Sequence, residues 1–119
     1  MKYLLDTHTI LWYLFGDSRL SKNVKEIIES NVCFYSYASF WKISIKPVYE
    51  IDDMCRLAGF RKLPVTLDDF NRVRNLPFQE NIKHNDPFDR ILISQAIEND
   101  LTIVTTDGNI PLYDVKPIW

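Results

Sequence analysis

"DPFDRILISQAIENDLTIVTTD", residues 86–107, decides the fold. Asp86 stands directly before Pro87, a pairing that opens helices. The aspartate oxygen can cap a free backbone N–H, and proline lacks the N–H that a first turn leaves unpaired. Apolar residues then recur at Phe88, Ile91, Leu92, Ala96 and Ile97, the spacing of one helical face. "LTIVTTD" follows as a short buried strand that closes on an acid, Asp107. The same strand-then-acid pattern occurs at the other end of the chain. "KYLLD", residues 2–6, is an apolar run that closes on Asp6 and suits a strand of a parallel sheet.

The intervening segments complete an alternation of strand and helix. "HTILWYLFG" is apolar nearly all round and stops at Gly16, which predicts a buried helix with a C-terminal glycine. Ser21 caps a helix carrying Val24, Ile27 and Ile28. "VCFYSY", residues 32–37, is rich in β-branched and aromatic residues and predicts a second strand. "SFWKISIK", residues 39–46, restarts a helix with Ser39 as its cap. "EIDDMCRLAGF" predicts a short helix ending at Gly59, and "KLPVT" a short strand or extended link. Thr66 caps a helix with Phe70, Val73 and Leu76 on one face. "PFQENIKHND" is a polar loop, and "VKPIW" a last edge strand, where a proline is tolerated. Strands alternating with helices imply an α/β fold with a mainly parallel sheet in one domain, residues 1–119.

Composition narrows the function classes. The net charge of −2 supplies no global basic field, which argues against a simple nucleic-acid-coating protein but leaves a nuclease open. Three glycines leave no room for a Gly-rich phosphate loop. Cys33 and Cys55 have no metal-like spacing and read as two reduced thiols or, less simply, one disulfide. No apolar run is long enough to span a bilayer, and the N-terminal run is too short for a signal peptide. The expected location is the cytoplasm.

The acids carry the chemical signal. In parallel sheets ligands gather at the carboxyl ends of strands, where Asp6 and Asp107 fall. Asp86 and Asp89 lie three apart at a helix start, so their carboxylates share a face. Taken singly, each has a bland role: Asp6 as a turn or cap residue, Asp86 as an N-cap, Asp89 as a charge favoured by the helix dipole, Asp107 as a turn before Gly108. Taken together, converging carboxylates repel unless a cation sits among them, and Mg2+ or Mn2+ prefers such oxygen ligands. His8 and His84 form no ligand pattern. Trp12, Trp41 and Trp119 are expected in core and interface rather than as base-stacking platforms.

"MKYLLDTHTILWYLFGDSRLS", "SFWKISIK", "HNDPFDRILISQAIENDLTIVTTD" and "VKPIW", in that order, resemble the PIN-domain proteins, and among them the VapC-type toxins of bacterial toxin–antitoxin pairs. The resemblance covers nearly the whole chain. It implies a Rossmann-like α/β/α sandwich around a central parallel sheet and a Mg2+- or Mn2+-dependent ribonuclease. It also implies an RNA substrate, a homodimer and a cognate antitoxin. On this chain the implied catalytic acids are Asp6, Asp89 and Asp107, with Asp86 as a further metal ligand. Thr105 or Thr106 supports the site through its hydroxyl. Arg90 belongs to the motif without an assigned role.

Two departures stand out. The segment after Lys46 is shorter than usual, which bears on assembly. The position that normally carries a metal-site glutamate carries Lys42. With glutamate, Ser39 and residue 42 would form a reciprocal capping box; lysine has no acceptor and puts positive charge in a first helical turn, against the dipole. Lys42 therefore either replaces the metal by pairing with Asp6 and Asp89, or swings to solvent and leaves a weakened metal site. The alternative function is a catalytically inactive domain of this fold that binds protein or RNA. A response-regulator-like domain also gathers acids at strand ends, but the element order does not suit it.

Overall fold

A computed structural model describes residues 1–75, 87–105 and, for the backbone alone, 117–118. Five strands form one sheet: β1 (Lys2–Leu5), β2 (Val32–Ser36), β3 (Arg61–Leu63), β4 (Thr102–Val104) and β5 (Pro117–Ile118). Their order is β3-β2-β1-β4-β5 and every neighbouring pair is parallel. β1 is central, with Leu4 aligned to Phe34 on one side and to Ile103 on the other. Parallel neighbours need crossovers, and among the described residues five α-helices lie on the connections that lead up to β4: α1 (Thr7–Leu14), α2 (Lys22–Ser30), α3 (Val48–Leu57), α4 (Leu67–Asn75) and α5 (Pro87–Asn99).

Side chains alternate across a strand, so the sheet builds a core on each face. Tyr3, Leu5, Cys33, Tyr35 and Val104 pack with Ile10, Val24, Ile28, Ile51 and Cys55 of α1, α2 and α3. Leu4 and Ile103 pack on the other face with Ile91, Leu92, Ile93 and Ala96 of α5. Val73 of α4 joins that second cluster. The result is the expected α/β/α sandwich with α5 as its most buried helix: seven consecutive residues, Arg90–Ala96, are buried.

Local signals explain the helix boundaries. Ser21 caps α2 by accepting from the N–H of Val24 at 3.2 Å. α1 and α3 end as expected at Gly16 and Gly59, both in the left-handed region at φ 64° and 85°. Asp100, at φ 52°, does the same work after α5, which lets the Leu101 N–H reach back to the Ala96 carbonyl at 2.8 Å. Thr66 and Asp69 form a full capping box at the start of α4. The Asp69 N–H donates to Thr66 Oγ1 at 3.2 Å, and the Thr66 N–H donates to Asp69 Oδ2 at 2.9 Å.

Four local expectations are corrected. α1 is half-buried rather than buried all round: only Thr7, Thr9 and Ile10 are buried, and Phe15 is exposed. Phe70 and Ile97 sit on exposed helix faces, while Val73 does reach the core. Ser39 caps nothing. The chain forms a 3₁₀ helix over Tyr37–Lys42 whose cap is Ser36, with Oγ accepting from the Ala38 N–H at 3.1 Å. Lys42 accordingly stands in a last turn, where a cation is favoured by the dipole.

At the sheet margin, β3 is three residues long, and Arg61 and Lys62 on it are exposed.

Candidate functional site

The sheet and its helices bring two acids to the carboxyl end of the strands. Asp6 follows β1 directly and caps α1: its Oδ1 accepts from the Thr9 N–H at 2.9 Å. Thr105, directly after β4, donates from Oγ1 to Asp6 Oδ2. The Asp6 N–H and the Thr9 hydroxyl both donate to the Val104 carbonyl, at 3.2 and 3.0 Å. Asp6 is thus held by its own helix and by the neighbouring strand, with both carboxylate oxygens oriented.

Asp89 reaches the same end by a different route. α5 runs into β4 through the turn at Asp100, so it lies antiparallel to the strands and begins at their carboxyl end. Asp89 is the acid of its first turn. Lys42 Nζ donates to Asp89 Oδ1 at 3.0 Å. The Lys42 side chain is 31% exposed and that of Asp89 17%, so solvent screens the pair only in part. The 3₁₀ helix that carries Lys42 packs against both α1 and α5, which places it over the gap between the two acids' elements.

The expected site residues therefore divide. Asp6 and Thr105 are joined directly, and Lys42 is joined to Asp89. Asp86, Thr106 and Asp107 lie outside the described residues, as does His84. Among the described residues no group of three or more His, Cys, Asp or Glu is gathered closely enough to hold a metal ion. Arg90 is buried and donates from its guanidinium to the Val73 carbonyl at 3.0 Å, which gives it a place tying α5 to α4. Cys33 and Cys55 are free thiols, both buried. Burial pushes their pKa values up, to about 11 and about 12, which keeps them protonated and unreactive near neutrality.

Two features escaped the sequence reading. Gln95, fully buried, donates from Nε2 to Asp69 Oδ2 at 3.1 Å and to the Pro64 carbonyl at 3.2 Å. No local pattern signals this, because it links α5 to the start of α4. Trp41 is 77% exposed, not buried, and its ring stacks on Phe88. Its charged neighbour Lys42 was the one available hint.

With this geometry in place, comparison with known proteins is specific at the level of family. The PIN domain model matches residues 3–116, and the chain belongs to the PIN-domain family. Two solved structures share the fold over the whole chain. One is VapBC2 from Rickettsia felis bound to a DNA fragment from their promoter, at TM-score 0.71 and 16% identity, covering 100% of this chain and 99% of that one. The other is FitAcB from Neisseria gonorrhoeae, at TM-score 0.64 and 18% identity, covering 100% and 97%. No curated protein matches the chain significantly.

Proposed function

We propose that this chain is a VapC-like toxin of a toxin–antitoxin pair, a metal-dependent endoribonuclease whose metal affinity is lowered by Lys42. The observation that carries the reading is the pair of acids at one end of the sheet, Asp6 after β1 and Asp89 at the start of α5, with a lysine ammonium on the second. Mg2+ or Mn2+ would be held by Asp6 and Asp89 with Asp86 and Asp107, and when bound would activate water and stabilise charge on the phosphate. Asp6 fits such a role because its hydrogen bonds fix the carboxylate while leaving lone pairs on both oxygens. Asp89 fits less well, since Lys42 already compensates its charge. Relative to a glutamate at that position, the site differs by two charge units, and ligand charge dominates the binding of hard cations.

Lys42 also offers a point charge for an RNA phosphate once it releases Asp89. A cognate antitoxin is the expected protein partner, in keeping with the fold shared with VapBC2 from Rickettsia felis. A homodimer and a cytoplasmic location belong to the same reading; among the described residues no helix is long and apolar enough to cross a membrane.

The ion pair favours a second reading, in which the ammonium replaces the metal outright and the domain binds RNA or protein without cleaving. Calorimetric titration with Mn2+ separates them. Native protein is expected to bind weakly and Lys42→Glu clearly. In RNA cleavage with Mn2+, the native protein should be slow and Asp89→Asn inactive. Equal, tight Mn2+ binding by native protein and Lys42→Glu would remove Lys42 from the account. Native protein that cleaves no faster than Asp89→Asn favours the binding module.

A further inference from the structure

The hydrogen bonds around Asp6 close into a ring, and Thr9 enters it twice. Its N–H donates to Asp6 Oδ1 at 2.9 Å, and its hydroxyl donates to the Val104 carbonyl at 3.0 Å. The same carbonyl accepts from the Asp6 N–H at 3.2 Å. The next residue, Thr105, returns to Asp6 by donating from Oγ1 to Oδ2.

The two contacts of Thr9 differ in kind. The N–H lies three residues after the N-cap, and any residue but proline at position 9 would supply it. The hydroxyl belongs to threonine. Threonine is a modest helix former, and in a helix its hydroxyl commonly bonds back to a carbonyl of the preceding turn. Here it reaches a carbonyl 95 positions away, and Thr9 is fully buried. Valine would fill the same space without burying a polar group. Helix formation therefore gives no reason for the hydroxyl, whereas its partner does.

Val104 ends β4, where it is aligned with Leu5 of β1. A carbonyl oxygen has two lone pairs, and Asp6 and Thr9 supply two donors to this one. The peptide group is planar, so holding that carbonyl also holds the plane from which Thr105 departs. Thr105 Oγ1 is thereby aimed at the Asp6 oxygen that the Thr9 N–H does not bind.

We infer that Thr9 is a positioning residue of the acid site: its hydroxyl, acting through the Val104 carbonyl, holds Thr105 against Asp6 and so sets the direction of the Asp6 carboxylate. The inference rests on the reading of Asp6 as a site acid for its functional weight. The contact between Thr9, Thr105 and Asp6 is testable without a metal.

The test uses the full chain, metal-free and at neutral pH. Thr9→Val leaves the Val104 carbonyl its Asp6 donor and should fold; circular dichroism checks this. The carbon-13 resonance of the Asp6 carboxyl should move in Thr9→Val toward its position in Thr105→Val, and stay at the native position in Thr9→Ser, which restores the hydroxyl. In urea titration the two threonines should be coupled. Thr105→Val should lower the folding equilibrium constant about ten-fold in native protein and only about two-fold in Thr9→Val. In Lys42→Glu protein, Thr9→Val should weaken Mn2+ binding about ten-fold, the low end for a residue that supports a ligand, and Thr9→Ser should not.

An Asp6 resonance unmoved by Thr9→Val, additive costs of the two threonine variants, or Mn2+ binding that Thr9→Val leaves unchanged would each overturn the inference. So would a Thr9→Val protein that fails to fold while Thr9→Ser folds, since the hydroxyl would then hold the fold rather than the site. The metal reading fails separately: Lys42→Glu protein that binds no Mn2+ removes the metal, while a moved Asp6 resonance and coupled threonines keep the positioning role.

Discussion

Two segments begin alike in sequence and end differently in space. Ser39-Phe-Trp-Lys42 and Thr66-Leu-Asp-Asp69 each place a charged residue three positions after a hydroxyl. At Thr66 the acid closes a reciprocal capping box, and the carboxylate is buried among Arg72, Gln95 and the Thr66 N–H. At Ser39 the lysine cannot accept, the cap moves back to Ser36, and the freed side chain crosses to another helix. The first charge is spent on local structure and fixes α4 to α5. The second is left for contact between elements at the carboxyl end of the sheet. The same spacing thus gives a structural joint when the charge is an acceptor, and a site residue when it is a donor.

The sharpest way to break this contrast is Asp69→Ala. It leaves the Gln95 amide, the Arg72 guanidinium and the Thr66 N–H without their shared acceptor, and should cost about 3 kcal/mol of unfolding free energy in urea titration. A loss below about 1 kcal/mol would mean that the joint is incidental.

Alkaline pH provides the next test, because it acts on one face of the sheet only. Cys33 and Cys55 pack on the α1–α3 face, and both thiols titrate above the ordinary value of 9.0. A group with a raised folded-state pKa stabilises fully below its unfolded pKa and loses that contribution as pH rises toward the folded value. Stability should therefore fall between pH 9 and 12, by on the order of 2 kcal/mol for each thiol at pH 10.5. Urea midpoints should lose most of this slope in a Cys33→Ala, Cys55→Ala double variant and keep it in Asp69→Ala. An unchanged slope in the double variant would contradict the assignment.

The smallest effect distinguishes the two serines. Ser36→Ala removes a working cap and should cost about 1 kcal/mol. The Ser39 hydroxyl is buried and makes no hydrogen bond among the described residues. Ser39→Ala should leave stability unchanged or raise it by about 1 kcal/mol. A Ser39→Ala variant less stable than Ser36→Ala would restore Ser39 as the cap.

Most of the fold is legible because its signals are local. The caps at Ser21 and Thr66, the glycines that end α1 and α3, and the apolar runs of β1, β2 and β4 can each be read within a few residues. The segment after β2 misleads for a physical reason. Ser36 is still in the strand, yet its hydroxyl is already placed to bond the Ala38 N–H, so the turn begins three residues before the apparent cap. Of the acids, Asp6 and Asp89 fall where strand ends and helix starts predict. The Lys42–Asp89 contact spans 47 positions and the Thr105–Asp6 contact 99, and no local pattern carries such pairings. The exposure of Trp41 is hidden for a related reason: an aromatic in an apolar run is usually core, and only the packing of Phe88 shows that this one is left outside.

The short β3 strand bears on how any partner can approach. An open strand edge invites a second chain to extend the sheet by backbone pairing, but β3 offers three residues, with charged Arg61 and Lys62 exposed along them. Pairing another strand there would crowd two cations against the incoming chain. The margin at β3 is thereby closed to strand addition, and a protein or RNA that meets the molecule on that side must bind through side chains on the helices and the 3₁₀ turn.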